Sequence, residues 1–199
     1  MKKLVLALLL TAFVSAANAQ TADAAGKSET KGIFAPAKVQ MFEGELFGGF
    51  AFPADSYHNG NGHAGFNFGL AMRHNIKGTG FDCGIMADFT AVRRTFPDLS
   101  KYDDDQTNRT LTIALTGAYN FMQGRKVNPF VGVGVGIGFM DCVGDRPYPV
   151  EGVNAVVVPK IGVELWSFLR IYASSHIVRK GFNSLEVGIG FVLGGRPKK

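Results

Sequence analysis

The chain has 199 residues, a length typical of one domain, with 21 Lys and Arg against 16 Asp and Glu. This dispersed and modest positive charge excludes a nucleic-acid-binding protein that works through a basic surface. Glycine (26 residues) and phenylalanine (17 residues) are both more abundant than the packed core of a soluble protein usually requires.

The first 19 residues have the pattern of a secretory signal peptide. Lys2 and Lys3 precede an apolar run over 4–14, and Ala17-Asn18-Ala19 forms a small-x-small cleavage site. The run is about half the ~20 residues that a membrane-spanning helix needs. We therefore predict a cleaved signal peptide at 1–19, a flexible leader at 20–38 and an exported protein whose formal charge falls from +5 to about +3.

From residue 39 onward, apolar residues recur at every second position and are interrupted by turn residues. Period two predicts strands with one apolar face. Eight such series follow one another along the chain: 42–52, 64–72, 81–91, 111–121, 131–139, 157–165, 169–177 and 185–193. Pro159 lies inside the sixth series and removes a ladder donor, so we expect either a bulge there or a strand that starts later.

The alternate face of these series is polar or small. It carries the four glycines of 132–138, threonines in the fourth series and charged residues of both signs. A soluble barrel or sandwich would turn the apolar face inward, and a membrane barrel would turn it outward. Small residues suit the narrow lumen of an eight-stranded barrel, and the long apolar faces suit a lipid-facing band, so the membrane barrel is favoured.

The connections between the series alternate in length. We expect long ones at 53–63, 94–108 and 141–154, and short ones at 75–80, 123–127 and 167–168. Outer-membrane barrels have short periplasmic turns and longer external loops, so a periplasmic N-terminus places the long connections outside. The last connection, 180–183, is predicted to be short and departs from this trend.

Over about residues 39–194, the chain resembles the small OmpA/OmpX-like outer-membrane barrels, often grouped as porin-like proteins. Gly-Val-Gly-Val-Gly-Ile-Gly at 132–138 and Val-Gly-Ile-Gly-Phe-Val-Leu at 187–193 are the most typical stretches. The resemblance implies a closed, antiparallel, eight-stranded barrel in the outer membrane of a Gram-negative cell. Members commonly end on an aromatic residue, whereas here Phe191 is followed by 192–199, with a basic tail predicted at 195–199.

The predicted lumen carries charges of both signs. Narrow interiors require such charges to be paired or hydrated. The simplest interpretation is a polar plug that closes the barrel, and the alternative is a path for an ion or a small solute. The charged residues are Arg73, Lys160 and Arg170, with Glu43, Glu45, Asp82, Asp88, Glu164 and Glu186.

Several motifs suggest chemistry but fit a structural role better. The 132–138 glycines keep strict period two, unlike a nucleotide-binding loop. Ser174, His176 and Glu164 suggest a hydrolase of the lipid A deacylase kind, but the His-x-Ser order of that family is absent. Asp103-Asp104-Asp105 could bind a divalent cation, yet no ligand-spaced motif surrounds them, so we predict a solvated loop.

Cys83 and Cys142 are predicted at opposite ends of the barrel, too far apart for a disulfide, with Cys83 facing lipid.

The sequence predicts no catalytic, cofactor or metal site. The expected function is non-enzymatic: support of envelope integrity, or binding of an external partner through surface loops. A lipid-modifying enzyme and a narrow pore remain as alternatives. The expected partners are outer-membrane lipid and lipopolysaccharide, whose phosphates Arg93, Arg94 and Lys101 could meet, together with barrel-assembly and periplasmic chaperone machinery. Nucleic acid is not expected.

Overall fold

The structure, a computed structural model, describes residues 40–56, 60–96, 104–144 and 151–194. The predicted signal peptide, leader and basic tail lie outside the described residues. Within them, eight strands follow in chain order: β1 Phe42–Pro53, β2 Asn61–Asn75, β3 Phe81–Phe96, β4 Asp104–Asn120, β5 Val127–Gly144, β6 Gly152–Leu165, β7 Leu169–His176 and β8 Ser184–Leu193.

Each strand pairs antiparallel with its neighbour in sequence, and β1 closes the sheet by pairing with β8 from Gly44↔Leu193 to Pro53↔Ser184. The predicted fold class, a closed antiparallel eight-stranded barrel, is confirmed. Closure matters because it gives every strand two partners and leaves no open sheet edge, the condition that a β-structure must meet to cross a bilayer. No helix among the described residues is long and apolar enough to span a membrane.

The distribution of side chains is inverted relative to a soluble protein. Large apolar side chains such as Leu115 (70% exposed) and Phe50 (68%) point outward, whereas Glu186 and Thr112 are buried inside. The soluble alternative, with an apolar interior and a polar surface, is therefore wrong. The chain is a transmembrane β-barrel.

The apolar surface forms a band of the height that a membrane requires. On β3 the outward-facing apolar positions run from Phe81 to Ala91, the last of which is buried. This length is about 34 Å along the strand and about 26 Å along the membrane normal at a tilt of about 40°. Aromatic side chains mark both borders of the band: Phe81 and Tyr119 at one end (centroids 4.8 Å apart), and Phe68 and Phe89 towards the other (5.3 Å).

The two ends of the barrel differ. At one, called here the turn end, 76–80, 121–126 and 166–168 connect the strands. At the other, the loop end, the connections 54–60, 97–103, 145–151 and 177–183 each span seven residues. The alternation is as predicted, but the last loop is not short, because β7 ends at His176 and Ile177 makes only an isolated bridge.

The loops are shorter than the sequence suggested because several strands continue beyond the apolar band. β3 pairs with β4 as far as Phe96↔Asp104, and β4 pairs with β5 as far as Gln106↔Gly144. Residues expected in loops therefore form a paired wall at the loop end, which we call the β3–β5 wall.

Pro159 requires neither a bulge nor a late strand start, so that expectation is wrong. It pairs with Val133 in an unbroken β5–β6 register. On its other side, β6 pairs with β7 as far as Lys160↔Ser174, and the isolated bridge Val157↔Ile177 keeps the same register. The β6–β7 ladder is interrupted between these two pairs. The missing N–H of proline thus weakens one edge of the ladder without shifting the strand.

Because the apolar side chains face outward, the free-energy cost of adding a charge to the outer surface should depend strongly on its position along the strand. Val135→Arg, in the middle of the band on β5, should destabilise the folded barrel by about 2–4 kcal/mol, because its guanidinium faces hydrocarbon. Val143→Arg lies on the same strand and face but beyond the band, and should cost about 0–1 kcal/mol. Urea unfolding in lipid vesicles measures both variants, and equal costs would contradict this placement of the membrane.

Candidate functional site: the barrel lumen and its loop end

The lumen is filled in layers from the turn end to the loop end. All nine predicted luminal charges point inward; eight of them are buried and Lys160 is partly buried. The prediction of an internal polar network is therefore confirmed. The layers differ in chemistry, and each is built by residues at alternate positions of several strands.

The layer at the turn end is a charge network centred on Arg73 of β2. Its guanidinium lies 3.0 Å from Glu43 and between 3.7 and 3.9 Å from three further carboxylates: Glu45, Asp82 and Glu164. Burial of charges costs free energy unless they are paired. A single cation therefore holds together carboxylates from three strands.

Two further cations complete this network. Arg170 binds Glu164 at 2.8 Å and Glu45 at 3.4 Å, and Lys160 binds Glu45 at 3.4 Å. Both cations also lie over aromatic rings, Arg170 over Phe130 at 4.3 Å and Lys160 over Tyr172 at 4.0 Å. The cavity among these residues has a volume of about 40 Å³, enough for a few water molecules but not for a channel.

An apolar layer crosses the barrel above the charge network. Its larger side chains are Phe47, Met86, Phe130 and Tyr172, all at most 6% exposed. The barrel is narrow enough that these rings need glycines opposite them: a Cβ at Gly188 would come within 2.6 Å of the Tyr172 hydroxyl. The sequence interpretation missed this layer, although the period-two alternation places Phe47 on the face of Glu43 and Glu45.

The next layer contains an acid–histidine cluster, defined by Asp88 of β3, His176 of β7 and Glu186 of β8. The Nε2 atom of His176 lies 3.2 Å from Asp88 Oδ2 and 3.2 Å from Glu186 Oε2. All three residues are at most 2% exposed. The cluster bridges opposite walls of the barrel, because β3 is far from β7 and β8 in strand order.

This geometry does not support the hydrolase interpretation. Ser174 donates its hydroxyl to Glu186 at 3.3 Å. Glu164, proposed as the third member, lies in the turn-end network on Arg170. The structure therefore does not bring Ser174, His176 and Glu164 together as a catalytic triad, and it places all three inside the barrel, away from lipid.

The lumen is closed at the loop end by loop 177–183. Phe182 packs inside against Met140 and Cys142, and the Gly181 carbonyl accepts a hydrogen bond from Asn108 at 2.7 Å. Loop 177–183 therefore lies against the inner face of the β3–β5 wall.

Asp55 holds loop 177–183 in this position. Its carboxylate accepts hydrogen bonds from Arg94 at 2.6 Å and from Gly181 N–H and the Asn183 amide, both at 2.8 Å. Arg94 is fully buried, so its expected role in binding lipid phosphates is wrong: its guanidinium ties β3 to loop 54–60. We call this set of contacts the Asp55 latch.

The remaining site predictions lie on the surface. Arg93 is exposed and pairs with Asp105, which also accepts a hydrogen bond from Thr95 at 2.9 Å. Lys101 and Asp103 lie outside the described residues. Cys83 is exposed on the lipid-facing surface towards the turn end and Cys142 is buried at the loop end, so the predicted placement of the two cysteines at opposite ends of the barrel is confirmed.

No family model matches the chain, and no curated protein matches its sequence. Among solved structures, Neisserial surface protein A is 14% identical, with a TM-score of 0.49 over 78% of this chain and 98% of its own. The outer membrane protein OprG of Pseudomonas aeruginosa is 13% identical, with a TM-score of 0.48 over 82% and 100%. Ail of Yersinia pestis, solved with the heparin analogue sucrose octasulfate, is 14% identical, with a TM-score of 0.43 over 76% and 99%. These neighbours are small outer-membrane barrels, the kind of protein that the sequence resembles.

The Arg73 network predicts a large difference between two arginine substitutions. Arg73→Met leaves Glu43 and Asp82 without a cation in the lumen, while Glu45 and Glu164 keep Arg170 and Lys160. It should cost about 3–5 kcal/mol, the usual range for a buried pair that loses one partner. Arg93→Met removes an exposed ion pair and should cost about 0–1 kcal/mol. Urea unfolding of both variants in the same vesicles measures the difference, and a small effect at Arg73 would contradict its central role.

The Asp55 latch predicts that one substitution loosens loop 177–183. Asp55→Ala removes the acceptor for Gly181 and Asn183, so trypsin should cleave after Arg179 or Lys180 at least several times faster than in the unmodified barrel. Asp105→Ala removes an acid of the wall that does not touch the loop, and serves as the control. Mass spectrometry of the cleaved, still folded barrel identifies the site; unchanged cleavage in Asp55→Ala would show that other contacts hold the loop.

Proposed function

We propose that this protein is a non-conducting, non-enzymatic barrel of the outer membrane that acts through the surface at its loop end. The single observation that carries the proposal is that the lumen is filled through its whole depth while the β3–β5 wall continues beyond the apolar band. The filled lumen supplies rigidity, and its described residues leave no continuous path for solutes. The wall supplies a surface outside the membrane.

The length of the strands supports this division of roles. A barrel strand needs about 9–11 residues to cross a bilayer. β3, β4 and β5 have 16, 17 and 18 residues, whereas β7 and β8, on the far side of the barrel, have 8 and 10. The wall is therefore one-sided, which suits a surface that meets a partner better than it suits a symmetric pore rim.

Charge at the border of the band supports contact with anionic lipid. Arg93 and Arg109 are exposed on the outward face just beyond the apolar residues of β3 and β4. Guanidinium groups at this height can bind phosphate of lipopolysaccharide by charge-assisted hydrogen bonds. Asp105, which pairs with Arg93, and Asp141, which lies opposite Arg109, limit the local excess of positive charge.

The loop end is proposed to face the outside of the cell, where the wall and loops could bind an external partner or support the integrity of the envelope. The short connections and both ends of the barrel chain then face the periplasm, where chaperones and the assembly machinery meet the unfolded protein. This is the arrangement in which short turns are periplasmic and longer loops external.

Cysteine labelling on intact cells tests the location and orientation. Lys180→Cys, at the loop end, should react with a membrane-impermeant maleimide, whereas Lys126→Cys, exposed at the turn end, should react only after the cells are broken. Both positions are exposed, so accessibility of the side chain does not separate them. The reverse pattern would invert the orientation, and equal labelling only in broken cells would place the protein away from the outer membrane.

Planar-bilayer recordings test the absence of conduction on the same purified barrel. We expect no discrete conductance steps from the folded protein. Steps that persist in the unmodified protein would favour the pore alternative, whereas steps that appear only in Arg73→Met would show that the turn-end network closes the lumen.

A further inference from the structure

The acid–histidine cluster has the features of a metal site, and the function proposed above gives this cluster no role. Asp88, His176 and Glu186 each offer one ligand atom, and these three atoms lie within 4.8 Å of one another. Imidazole nitrogen and carboxylate oxygen are the ligands that first-row divalent metal ions share. The set is brought together from three strands, and no part of it is needed to close the β-ladder.

An independent observation concerns the imidazole itself. His176 Nε2 is buried and makes no hydrogen bond of acceptable geometry, although two carboxylate oxygens lie 3.2 Å away. The other ring nitrogen, Nδ1, lies 3.4 Å from Thr112 Oγ1. A proton on Nδ1 would leave the lone pair of Nε2 directed at two anions, an arrangement that a cation between the three atoms would make favourable.

Two of the three distances between the ligand atoms suit a tetrahedral ion. Zn²⁺ binds nitrogen and oxygen ligands at about 2.0–2.2 Å, which places neighbouring ligands of a tetrahedron about 3.3–3.5 Å apart. The two distances from His176 Nε2, 3.2 Å each, are within a few tenths of an ångström of this value. The three ligand atoms as a set lie within 4.8 Å of one another, so a bound ion would draw the two carboxylates closer together. Three protein ligands leave a fourth position for water, as in open zinc sites.

Surrounding hydrogen bonds hold both carboxylates in place. Glu186 Oε1 accepts from Thr90 at 2.7 Å and from Ser184 at 3.2 Å, and Glu186 Oε2 accepts from Asn67 at 2.9 Å. The same Thr90 hydroxyl, whose single proton goes to Glu186, also lies 3.3 Å from Asp88 Oδ1, and Asp88 Oδ2 is the oxygen directed at the imidazole. Such outer hydrogen bonds orient ligands and tune a metal site.

The charge balance also favours a cation. Two buried carboxylates share one imidazole, and Lys160, Arg73 and Arg170 pair with carboxylates on the other side of the apolar layer. Arg94 is paired with Asp55 at the loop end. A divalent ion with neutral His176 makes the cluster neutral, whereas a protonated His176 leaves one uncompensated negative charge in the lumen.

We propose that Asp88, His176 and Glu186 bind one first-row divalent metal ion inside the barrel, with Zn²⁺ as the first probe. The cluster is closed off by loop 177–183, so the ion is taken up while the barrel folds or when the Asp55 latch opens. The ion then joins opposite walls of the barrel and adds to its stability by binding only the folded state.

Metal content after refolding tests the proposal. The untagged protein is refolded into detergent with a small excess of Zn²⁺, separated from free ion and analysed for bound zinc. We expect about one Zn²⁺ per folded chain, a loss of at least tenfold in occupancy in His176→Asn and Glu186→Gln, and no loss in His63→Asn, which changes an exposed histidine outside the cluster. Heat-modifiable mobility in SDS confirms that each variant is folded.

Refolding with Co²⁺ supplies a second readout that does not depend on the variants. Binding at the cluster should give the visible absorption of cobalt with nitrogen and oxygen ligands, without the near-ultraviolet charge-transfer absorption that Cys83 or Cys142 would add. A folded barrel that retains no metal, or one whose metal is unchanged in His176→Asn or shows thiolate absorption, would overturn the proposal and leave the cluster as an internal ion triad.

Discussion

The closure of the sheet on itself is the constraint on which the rest of this structure depends. In hydrocarbon, each unpaired backbone N–H or C=O costs several kcal/mol, so the pairing of β1 with β8 is what allows these strands to exist in a membrane at all. Closure with eight strands then fixes a narrow interior, and the alternation of side chains sends every second residue into it. The apolar exterior and the polar interior are two consequences of the same geometry.

The narrow interior explains the composition of the luminal face. Large side chains can cross the lumen only where glycine stands opposite, as Gly188 does for Tyr172 and Gly69 for Phe47. Buried charged side chains are stable there only beside opposite charges. Arg73 accordingly lies within 3.9 Å of four carboxylates. The abundance of glycine and the mixture of charges, which look contradictory in the sequence, both result from filling the same small space.

The strands, and the side of the sheet to which each residue points, could be predicted from the sequence because the period-two pattern is strict and local. The residues of the β3–β5 wall could not, because Arg94 and Gln106 are polar residues outside the apolar series, and only tertiary pairing shows that they continue the ladder. The latch was missed for the same reason: Asp55 and Gly181 are 126 positions apart. The acid–histidine cluster joins β3 to β7 and β8. The period-two pattern predicted that its three residues face the lumen, but it could not predict that they lie at the same height in the barrel.

The layers of the lumen are not equivalent in how they balance charge. At the turn end, each carboxylate lies within 3.9 Å of an arginine or lysine, and a small cavity admits water. Beyond the apolar layer, the described residues place no lysine or arginine beside Asp88 and Glu186, and one imidazole nitrogen faces both. Neutral donors such as Asn67 and Thr90 compensate part of this charge. The chain therefore supplies its own cations to one layer and leaves the other to be completed by protons or by a metal ion. One proton on His176 balances one carboxylate, whereas a single divalent ion balances both.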